Sequence, residues 1–367
     1  MKEHILFIID GLPGGGAENV TLRLAAALNQ SNYQISLLSL NTQLDYTIPE
    51  EIQYIVSSDN YQGPFRKLNE INRRAKAMDK VLSELFQQKG KPILVISNLH
   101  KTDRIVVKSK VLENCNVWHC IHGIYSQSYL SHKSGLSYWI KKAKIKKVYK
   151  NRKLICVSNA VSNDLTNNIA IHPKQIKTIY NPFNFEQIKE KASEPNPYHG
   201  LNYILHVGRF HHVKRQDRLI DAFAKAKLPC TLLIVGQGSK EQEKQLKLQI
   251  NKLGLDDKVI LAGFYANPHP IINEAKAVVI SSDSEGLPTV LIEALICHTP
   301  IVSTDCPGGV REIMTDELKS YLSALDADSL AQKMQLVYGS PPTITNKMYD
   351  KFEAHSIQKQ YLELIEK

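Results

Sequence analysis

The chain has 367 residues, 43% hydrophobic and 7% aromatic, a composition typical of globular proteins with room for about two domains. Its net charge is +10, and the excess lies in residues 1–180, where 25 Lys and Arg oppose 13 Asp and Glu (net +12); the remainder has 21 against 23 (net −2). No apolar run approaches the roughly 20 residues that span a bilayer, and the N-terminal apolar run is too short for a signal peptide. The six cysteines form no C-x-x-C, and we expect them to be reduced thiols in a cytosolic protein.

Short β-branched apolar runs alternate with helical patterns along the chain, which predicts an α/β fold with parallel sheets. A stretch rich in Pro, Asn and charge, residues 181–200, separates two sets of runs and is the expected linker. We therefore expect two Rossmann-like domains facing across a cleft, with ligands beyond the carboxyl ends of the strands. The predicted strands are Ile5–Ile9, Ile35–Leu40, Ile93–Ile96, Val117–Ile121, Leu154–Val157, Tyr203–Val207, Thr231–Val235, Val259–Leu261, Ala277–Ile280 and Ile301–Ser303.

A glycine loop, residues 10–18, follows the first predicted strand and opens a helix. It contains neither the G-x-G-x-x-G dinucleotide fingerprint nor a Walker lysine. Gly15 and Gly16 allow a phosphate or an acceptor to approach backbone N–H groups closely. A tight strand–helix turn without a ligand is the alternative.

The basic charge is concentrated in a few segments. Residues 138–153, which include Lys141 and Lys142, carry eight positive charges and no negative one. Together with Arg66, Lys67, Arg73 and Arg74 they suit anionic lipid head groups. A solvated basic helix is the alternative, whereas nucleic acid is disfavoured because no recognised binding module or aromatic platform is present.

His122 lies at the end of a predicted strand beside Gly123, where ligands are expected, while His119 lies in mid-strand and faces the other way. A structural role is the alternative for His122.

Arg209 and Lys214 flank the turn after the strand that ends near Val207. Two cations at a strand's carboxyl end suit a departing diphosphate, because negative charge accumulates on its oxygens as a glycosidic bond breaks. A surface pair is the alternative.

Two carboxylates, Glu285 and Glu293, bracket a strand–turn–helix segment. Pro288 suits the first helical position, so the N–H groups of Thr289 and Val290 are expected to point at an anion. Glu285 is placed to accept from sugar hydroxyls and Glu293 from a ribose. A capped turn with a solvated glutamate is the alternative.

Asp326-Ala-Asp328 is the only D-x-D, the pattern with which many sugar transferases hold Mn²⁺. It precedes a helical pattern and indicates an N-cap. We therefore expect no metal site and no cofactor.

These motifs resemble the retaining glycosyltransferases of family GT4, which have the GT-B fold, over nearly the whole chain. The resemblance is carried by Gly14-Gly-Gly-Ala-Glu18, Ile121-His-Gly123, Cys156-Val-Ser-Asn-Ala-Val161, Ile179-Tyr-Asn-Pro182, Val207-Gly-Arg209 with Lys214, Leu233-Ile-Val-Gly-Gln-Gly238, and Glu285 to Glu293. Two departures are Lys214-Arg215-Gln216, where relatives often have Lys-Gly, and Leu287, where they often have Phe.

The resemblance implies roles for individual residues. Arg209 and Lys214 would contact the donor diphosphate, Glu293 the ribose, and Glu285 the sugar. His122 would lie near the reacting sugar, with Gly16 close to phosphate and Gly15 close to the acceptor. The turn amides would also contact the phosphates and the sugar, and the backbone near Tyr265 would contact the base. The remaining donor-binding residues are Gly286, Leu287, Pro288, Thr289 and Val290.

The resemblance also implies domain bounds and an activity. The N-terminal acceptor domain would be residues 1–184 plus about 350–367, and the C-terminal nucleotide-sugar domain 185–349. The expected activity is retaining, metal-independent transfer of a hexose or N-acetylhexosamine from a UDP-sugar, with GDP-mannose as the second candidate. We expect a peripheral enzyme at the inner face of the cytoplasmic membrane.

The expected acceptor is an anionic membrane-linked glycan, a lipopolysaccharide or lipooligosaccharide core. The alternatives are a polyprenyl-diphosphate-linked or capsular glycan, a non-catalytic subunit that binds membrane or polysaccharide, and a GT-B epimerase or phosphorylase.

Overall fold

The structure, a computed structural model, describes residues 2–13, 15–30, 33–59, 61–63 and 69–365. The chain divides into two compact units: unit 1 comprises Met1–Pro182 and Ala354–Lys367, and unit 2 comprises Phe183–Glu353. Each is built on one parallel sheet. Among the described helices, none has both the length and the apolar character needed to cross a bilayer.

Unit 1 has a seven-stranded sheet in the order β3-β2-β1-β4-β5-β6-β7. Its central strands are buried along their length because helices cover the sheet, which explains their continuous apolar sequences. The elements are β1 His4–Ile9, α1 Gly16–Gln30, β2 Gln34–Ser39, β3 Gln53–Val56, α2 Glu70–Lys89, β4 Leu94–Asn98, α3 His100–Val106, β5 Val117–Ile121, α4 Gly135–Tyr149, β6 Lys153–Cys156, α5 Asn159–Asn163, β7 Gln175–Thr178 and α13 Ala354–Leu362.

Unit 2 has a six-stranded sheet in the order β10-β9-β8-β11-β12-β13. Counted within the unit, this is the Rossmann order 3-2-1-4-5-6. The elements are α6 Phe185–Ala192, β8 Tyr203–Val207, α7 Gln216–Ala226, β9 Thr231–Val235, α8 Lys240–Lys252, β10 Val259–Gly263, α9 His269–Asn273, β11 Val278–Ile280, α10 Thr289–Ile296, β12 Ile301–Thr304, α11 Val310–Ile313, β13 Leu322–Ser323 and α12 Ala327–Gly339.

The α/β prediction of two Rossmann-like domains is confirmed, and each of the ten predicted strands corresponds to a strand of the structure. The strands that sequence reasoning missed, β3, β7 and β13, lie at sheet edges; β3 and β7 are half exposed and β13 has only two residues. They therefore lack the long apolar run that marks a central strand.

The predicted linker contains a helix. Helix α6 occupies the middle of residues 181–200, and from Phe183 onward this segment belongs to unit 2. Asn184 caps the helix, because its side chain accepts from the Gln187 backbone N–H.

The last helix, α13, packs in unit 1 although it follows all of unit 2 in sequence. The Gln358 side chain donates to the backbone carbonyl of Ala27, and the Asn116 side chain donates to that of Leu364. Ile357 and Tyr361 are buried there. All six cysteines are unpaired.

Candidate functional site

The strands that carry the C-terminal motifs are neighbours at the point where the strand order of unit 2 reverses. β8 ends just before Arg209 and β11 ends before Glu285, and β8 lies next to β11 in the sheet. In open α/β sheets ligands bind at this reversal point, beyond the carboxyl ends of the strands. The fold therefore brings the two motifs to the position where a ligand is expected.

The two motifs meet in a direct ion pair. Lys214 Nζ lies 2.7 Å from Glu285 Oε1, although 71 residues separate them. The Ser282 hydroxyl donates to the same carboxylate oxygen at 2.6 Å. The glutamate is buried and the lysine is partly exposed, so the lysine side chain is the one that an incoming anion reaches first.

A close backbone approach fixes the position of Glu285. Its N–H donates to the carbonyl of Pro307 at 3.1 Å, and its own carbonyl accepts from Gly309 N–H at 3.2 Å. Gly308 lies between these contacts with a φ of +131°, and a Cβ built on it would fall 1.4 Å from the Glu285 carbonyl oxygen. Only glycine fits at this position.

The loop that carries Lys214 is attached to the end of β11 by several bonds. Val213 O accepts from the Asp283 N–H at 2.8 Å, and Lys214 O accepts from the Ser281 hydroxyl at 2.8 Å. The Asp283 carboxylate accepts from Arg215 at 3.2 Å and from Arg218 at 2.6 Å. These contacts hold the lysine loop against the strand that leads to Glu285.

The structure explains one of the two departures from the common motif. Arg215 has a φ of +51°, in the left-handed region that favours the glycine usually found after the lysine. Its guanidinium bonds Asp217 and Asp283. We infer that these ion pairs offset the cost of the left-handed backbone.

Arg209 lies at the carboxyl end of β8 and is exposed. Within the described part of the chain, no acceptor lies within hydrogen-bond distance of its guanidinium. The pKa of His211 is lowered, first by burial and then by the neighbouring charges of His212, Arg209 and Lys214. The region is therefore electropositive, as an anion site requires.

A buried histidine, His206, is linked to the Arg209 backbone through the Gln216 side chain. His206 Nδ1 lies 2.9 Å from the Val279 carbonyl, and the Gln216 side-chain amide lies 3.4 Å from His206 Nε2 and 3.0 Å from the Arg209 carbonyl. One ring nitrogen donates and the other accepts, which only a neutral imidazole can do. Burial lowers the pKa of His206 to about 4, in agreement.

The turn from Gly286 to Pro288 leads into α10, which begins at Thr289. The prediction for Pro288 was wrong by one position, because its ψ of 94° makes it the residue before the helix. Leu291 N–H bonds the Pro288 carbonyl. The Thr289 and Val290 N–H groups have no acceptor among the described residues and point out of the positive end of α10. Leu287 is buried.

Glu293 lies inside α10 and is buried. Its carboxylate lies 4.0 Å from the His269 ring in α9. Tyr265 follows β10, on the same sheet edge, and its hydroxyl lies 3.1 Å from that of Tyr198. Burial raises the pKa of Tyr198 to about 12, with the Tyr265 contact as a second cause.

In unit 1, His122 directly follows β5 and is partly buried. Its Nε2–H donates to the Asn98 side-chain oxygen at 2.9 Å. Burial lowers its pKa to about 4, so the ring is neutral at physiological pH and its Nδ1 is an acceptor. Leu99, beside Asn98, has a φ of +74°, a costly conformation for leucine of the kind found at functional sites.

The glycine loop places Gly15 and Gly16 at the start of α1; Gly14 lies outside the described residues. A Cβ on Gly15 would come within 2.1 Å of the Glu18 carboxylate, whereas one on Gly16 would meet nothing within 4 Å. The Gly15 carbonyl accepts from the Tyr46 hydroxyl at 2.9 Å. A Cβ on Gly15 would therefore meet only the end of a flexible side chain, and Gly16 has open space at its α-carbon.

Arg74 was predicted on the exposed acceptor or membrane face, but the structure buries it, with 8% of its side chain exposed. Its guanidinium bonds the Asp10 carboxylate and the Leu40 carbonyl. Lys101 approaches the other Asp10 oxygen at 2.7 Å. The charge of Arg74 therefore lies at the carboxyl end of β1 rather than on an exposed face.

The other predicted basic residues have varied surroundings. Arg73 pairs with Asp59. Lys141 lies over the Tyr129 ring, and Lys142 donates to the Asn168 carbonyl at 2.8 Å. Arg66 and Lys67 lie outside the described residues.

Sequence reasoning missed a buried polar network beneath His122. His119 Nδ1 donates to Asp103 Oδ1 at 2.7 Å, Ser97 donates to the same oxygen, and the Tyr149 hydroxyl donates to Asp103 Oδ2 at 2.7 Å. Asp103 and His119 are both buried. Asp103 lies 16 residues from His119 in sequence, and this pairing gave no sequence signal.

The D-x-D residues serve structural purposes, as the capping interpretation predicted. Asp326 accepts from Ser329 N–H at the start of α12, and Asp328 pairs with Lys225. Across the described segments, no three His, Cys, Asp or Glu side chains are grouped as metal ligands.

Comparisons with known proteins agree with this geometry. Residues 14–187 match the family model described as Glycosyltransferase Family 4, and residues 187–356 match the one described as Glycosyl transferases group 1. This chain belongs to the glycosyltransferases.

The glycosyltransferase is similar to proteins whose names state an activity. It is 28% identical to the Campylobacter jejuni N-acetylgalactosamine-N,N'-diacetylbacillosaminyl-diphospho-undecaprenol 4-alpha-N-acetylgalactosaminyltransferase, over 99% of this chain and 100% of the relative. It is 27% identical to the Escherichia coli lipopolysaccharide 1,6-galactosyltransferase, over 46% and 47%.

Solved structures show the GT-B fold. The Anabaena protein HepE in complex with UDP is similar with a TM-score of 0.78, at 20% identity over 99% of each chain. Sucrose-phosphate synthase of Thermosynechococcus elongatus has a TM-score of 0.80, at 19% identity over 99% of this chain and 98% of the other.

Proposed function

We propose that this glycosyltransferase moves a hexose or N-acetylhexosamine from a nucleotide diphosphate sugar to a membrane-linked, phosphorylated glycan, with retention of configuration and without a metal ion. The observation that carries the proposal is the Lys214–Glu285 pair at the reversal point of the unit 2 sheet. It joins a cation suited to phosphate and a carboxylate suited to sugar hydroxyls in one place.

The donor diphosphate is proposed to lie between the Arg209 and Lys214 side chains and the positive end of α10. Exposed Arg209 and the N–H groups of Thr289 and Val290 offer donors to phosphate oxygens. Gly286, Leu287 and Pro288 form the turn beside the sugar. Because two cations supply the charge that a metal would otherwise provide, transfer is proposed to continue in EDTA.

The rest of the donor has its own proposed contacts. Glu285 accepts from sugar hydroxyls, and Glu293 accepts from the two vicinal hydroxyls of the ribose. The base lies near the backbone of Tyr265. A buried carboxylate suits ribose recognition, since a matched pair of hydroxyls satisfies acceptors that water reaches poorly.

In the proposed chemical step, the acceptor hydroxyl attacks the anomeric carbon from the face that the diphosphate leaves. The C–O bond to the diphosphate breaks, the new glycosidic bond forms, and a leaving phosphate oxygen takes the hydroxyl proton. Arg209 and Lys214 stabilise the leaving charge. In unit 1, neutral His122 is proposed to hydrogen-bond to the reacting sugar. Gly16 is proposed to bind phosphate and Gly15 to bind the acceptor.

A UDP-sugar is the proposed donor, with GDP-mannose as the second candidate. The choice is supported by HepE, whose solved complexes contain UDP and UDP-glucose, and by relatives named as galactosyl- and N-acetylgalactosaminyltransferases.

The acceptor is proposed to carry phosphate, because the basic charge of residues 1–180 suits an anionic partner. A lipopolysaccharide or lipooligosaccharide core is one candidate. A polyprenyl-diphosphate-linked glycan is the second, favoured by the relative that matches over its full length and whose name specifies a diphospho-undecaprenol substrate. Either acceptor would hold the enzyme at the inner face of the cytoplasmic membrane.

A panel of nucleotide sugars tests the proposal. We expect one donor to raise the unfolding temperature, to be hydrolysed slowly without acceptor, and to be consumed faster with a lipid-linked glycan. Arg209→Ala and Glu285→Ala should each lower turnover by about 10²-fold or more while the circular dichroism stays unchanged. Near wild-type turnover in both folded variants would refute the site assignment. Absence of turnover with every donor would favour a non-catalytic binding subunit.

Product analysis tests the finer claims. The anomeric proton coupling should show the donor's configuration in the product, and transfer in EDTA should equal transfer with added Mn²⁺. Inversion, or activity restored only by Mn²⁺, would contradict retention or metal independence respectively.

A further inference from the structure

Helix α4 presents an apolar stripe to solvent. Leu136, Trp139 and Ile140 are 75%, 63% and 47% exposed. They are spaced i, i+3, i+4 and therefore share one side of the helix. Burying them against another surface would be favourable, since each is a large apolar side chain.

The opposite side of α4 already packs on unit 1, through buried Ile145, Val148 and Tyr149. At 100° per residue, these three lie about half a turn of the helix away from the exposed stripe. The stripe is thus not the core-facing side of the helix, and a second surface has to cover it if it is covered at all.

Lysines extend the stripe toward the C-terminal half of the helix. Lys144 and Lys147 are exposed, and Lys147 lies on the same side as Leu136, three turns further on. The pKa of Lys141 is lowered by burial first, and then by Arg104, Lys144 and Lys133. The neighbouring charges are therefore like charges, and the helix carries no acidic residue.

We infer that the stripe Leu136, Trp139 and Ile140, with Lys144 and Lys147, is a docking surface for an anionic lipid bilayer. Apolar side chains that include a tryptophan, bordered by lysines, match the boundary between acyl chains and anionic head groups. The inference rests on the proposed transfer to a membrane-linked acceptor and adds the face that meets the lipid. A second protein copy is a weaker match, because the lysines would repel their counterparts.

Tryptophan fluorescence reads the contact directly, because the chain has only two tryptophans and Trp118 is 2% exposed. With vesicles of phosphatidylcholine containing roughly one third phosphatidylglycerol, we expect a blue shift that disappears in Trp139→Phe. Sedimentation with the same vesicles measures binding. Leu136→Ser and Trp139→Ser should each weaken it about tenfold or more.

Charge is tested separately. Lys144→Gln and Lys147→Gln should each weaken vesicle binding about fivefold, and added salt should weaken binding by the wild type. Helix α8 of unit 2 supplies matched controls: Leu248 is 56% exposed and Lys247 is also exposed. Leu248→Ser and Lys247→Gln should bind vesicles as the wild type does.

Absence of a blue shift, or equal losses in the α8 controls, would overturn the docking surface. So would a concentration-dependent dimer that Trp139→Ser abolishes. Donor hydrolysis without lipid separates this result from the proposed function: Trp139→Ser should hydrolyse donor normally. Failure of hydrolysis in the wild type with intact vesicle binding would refute the transferase proposal and leave the docking surface in place.

Discussion

Gly308→Ala is the change for which the structure gives the largest local effect. A non-bonded heavy atom essentially never lies under 3.0 Å from a Cβ in a real protein. The new Cβ would lie 1.4 Å from the Glu285 carbonyl oxygen, so the backbones must separate by about 1.6 Å (3.0 minus 1.4). The bonds from Glu285 N–H to Pro307 and from Gly309 N–H to Glu285 would be lost or lengthened. The Glu285 carboxylate would move with its backbone, which changes its contact with Lys214.

Two consequences have expected sizes. The left-handed φ and the clash together should cost about 3 kcal/mol, which lowers the unfolding temperature of a unit of this size by about 6–12 °C. Because a displacement of about 1 Å in a catalytic site costs about 10²-fold, turnover of donor should fall by at least that factor.

Calorimetric unfolding, together with donor hydrolysis measured below the transition, tests this reasoning. Gly339→Ala is the matched control, because a Cβ there meets nothing within 4 Å and the backbone φ is ordinary. It should leave turnover unchanged and should not lower the unfolding temperature. If Gly308→Ala unfolds within 2 °C of the wild type and keeps its turnover, the close approach that positions Glu285 is not what the structure indicates.

Two further changes probe the supporting residues. Arg215→Ala should unfold about 2–4 °C below Arg215→Gly in thermal melts, because both lose the ion pairs but only alanine keeps the left-handed strain; equal melting temperatures would argue against strain at this residue. Since burial holds the pKa of His206 near 4, the unfolded chain binds a proton there that the folded chain does not, and stability falls as pH drops from about 6.5 toward 4. His206→Gln should reduce that loss by about 2 kcal/mol in urea titrations at pH 7 and 4.5, and an unchanged loss would contradict the neutral buried ring.

The central strands were predictable because a strand covered on both faces needs an unbroken apolar run, as in β5, β8 and β9. Strand β7, with Gln175 and Lys177 among its four residues, is an edge strand and gives no such signal. The start of α10 was predictable from its turn residues, although the position of Pro288 depended on a ψ angle that composition does not specify.

Long-range pairs were beyond the sequence. The order of residues does not indicate that Arg74 bonds Asp10, 64 positions away, or that Gly308 packs against the Glu285 backbone. Arg74 looked like part of an exposed basic surface because the sequence shows charge but not burial. The apolar stripe on α4 could not be predicted for the same reason, since the sequence is compatible with either a buried or an exposed Trp139.

Nucleotide binding to the wild type, Arg209→Ala and Lys214→Ala is the most direct test of the claim that the unit 2 edge holds a donor diphosphate. Titration calorimetry should show that the wild type prefers the nucleoside diphosphate of its donor over the monophosphate, and that each variant loses about 10-fold to 10²-fold of diphosphate affinity with little change for the monophosphate. Equal affinity of the wild type for both nucleotides, or an unchanged preference in both variants, would contradict the assignment.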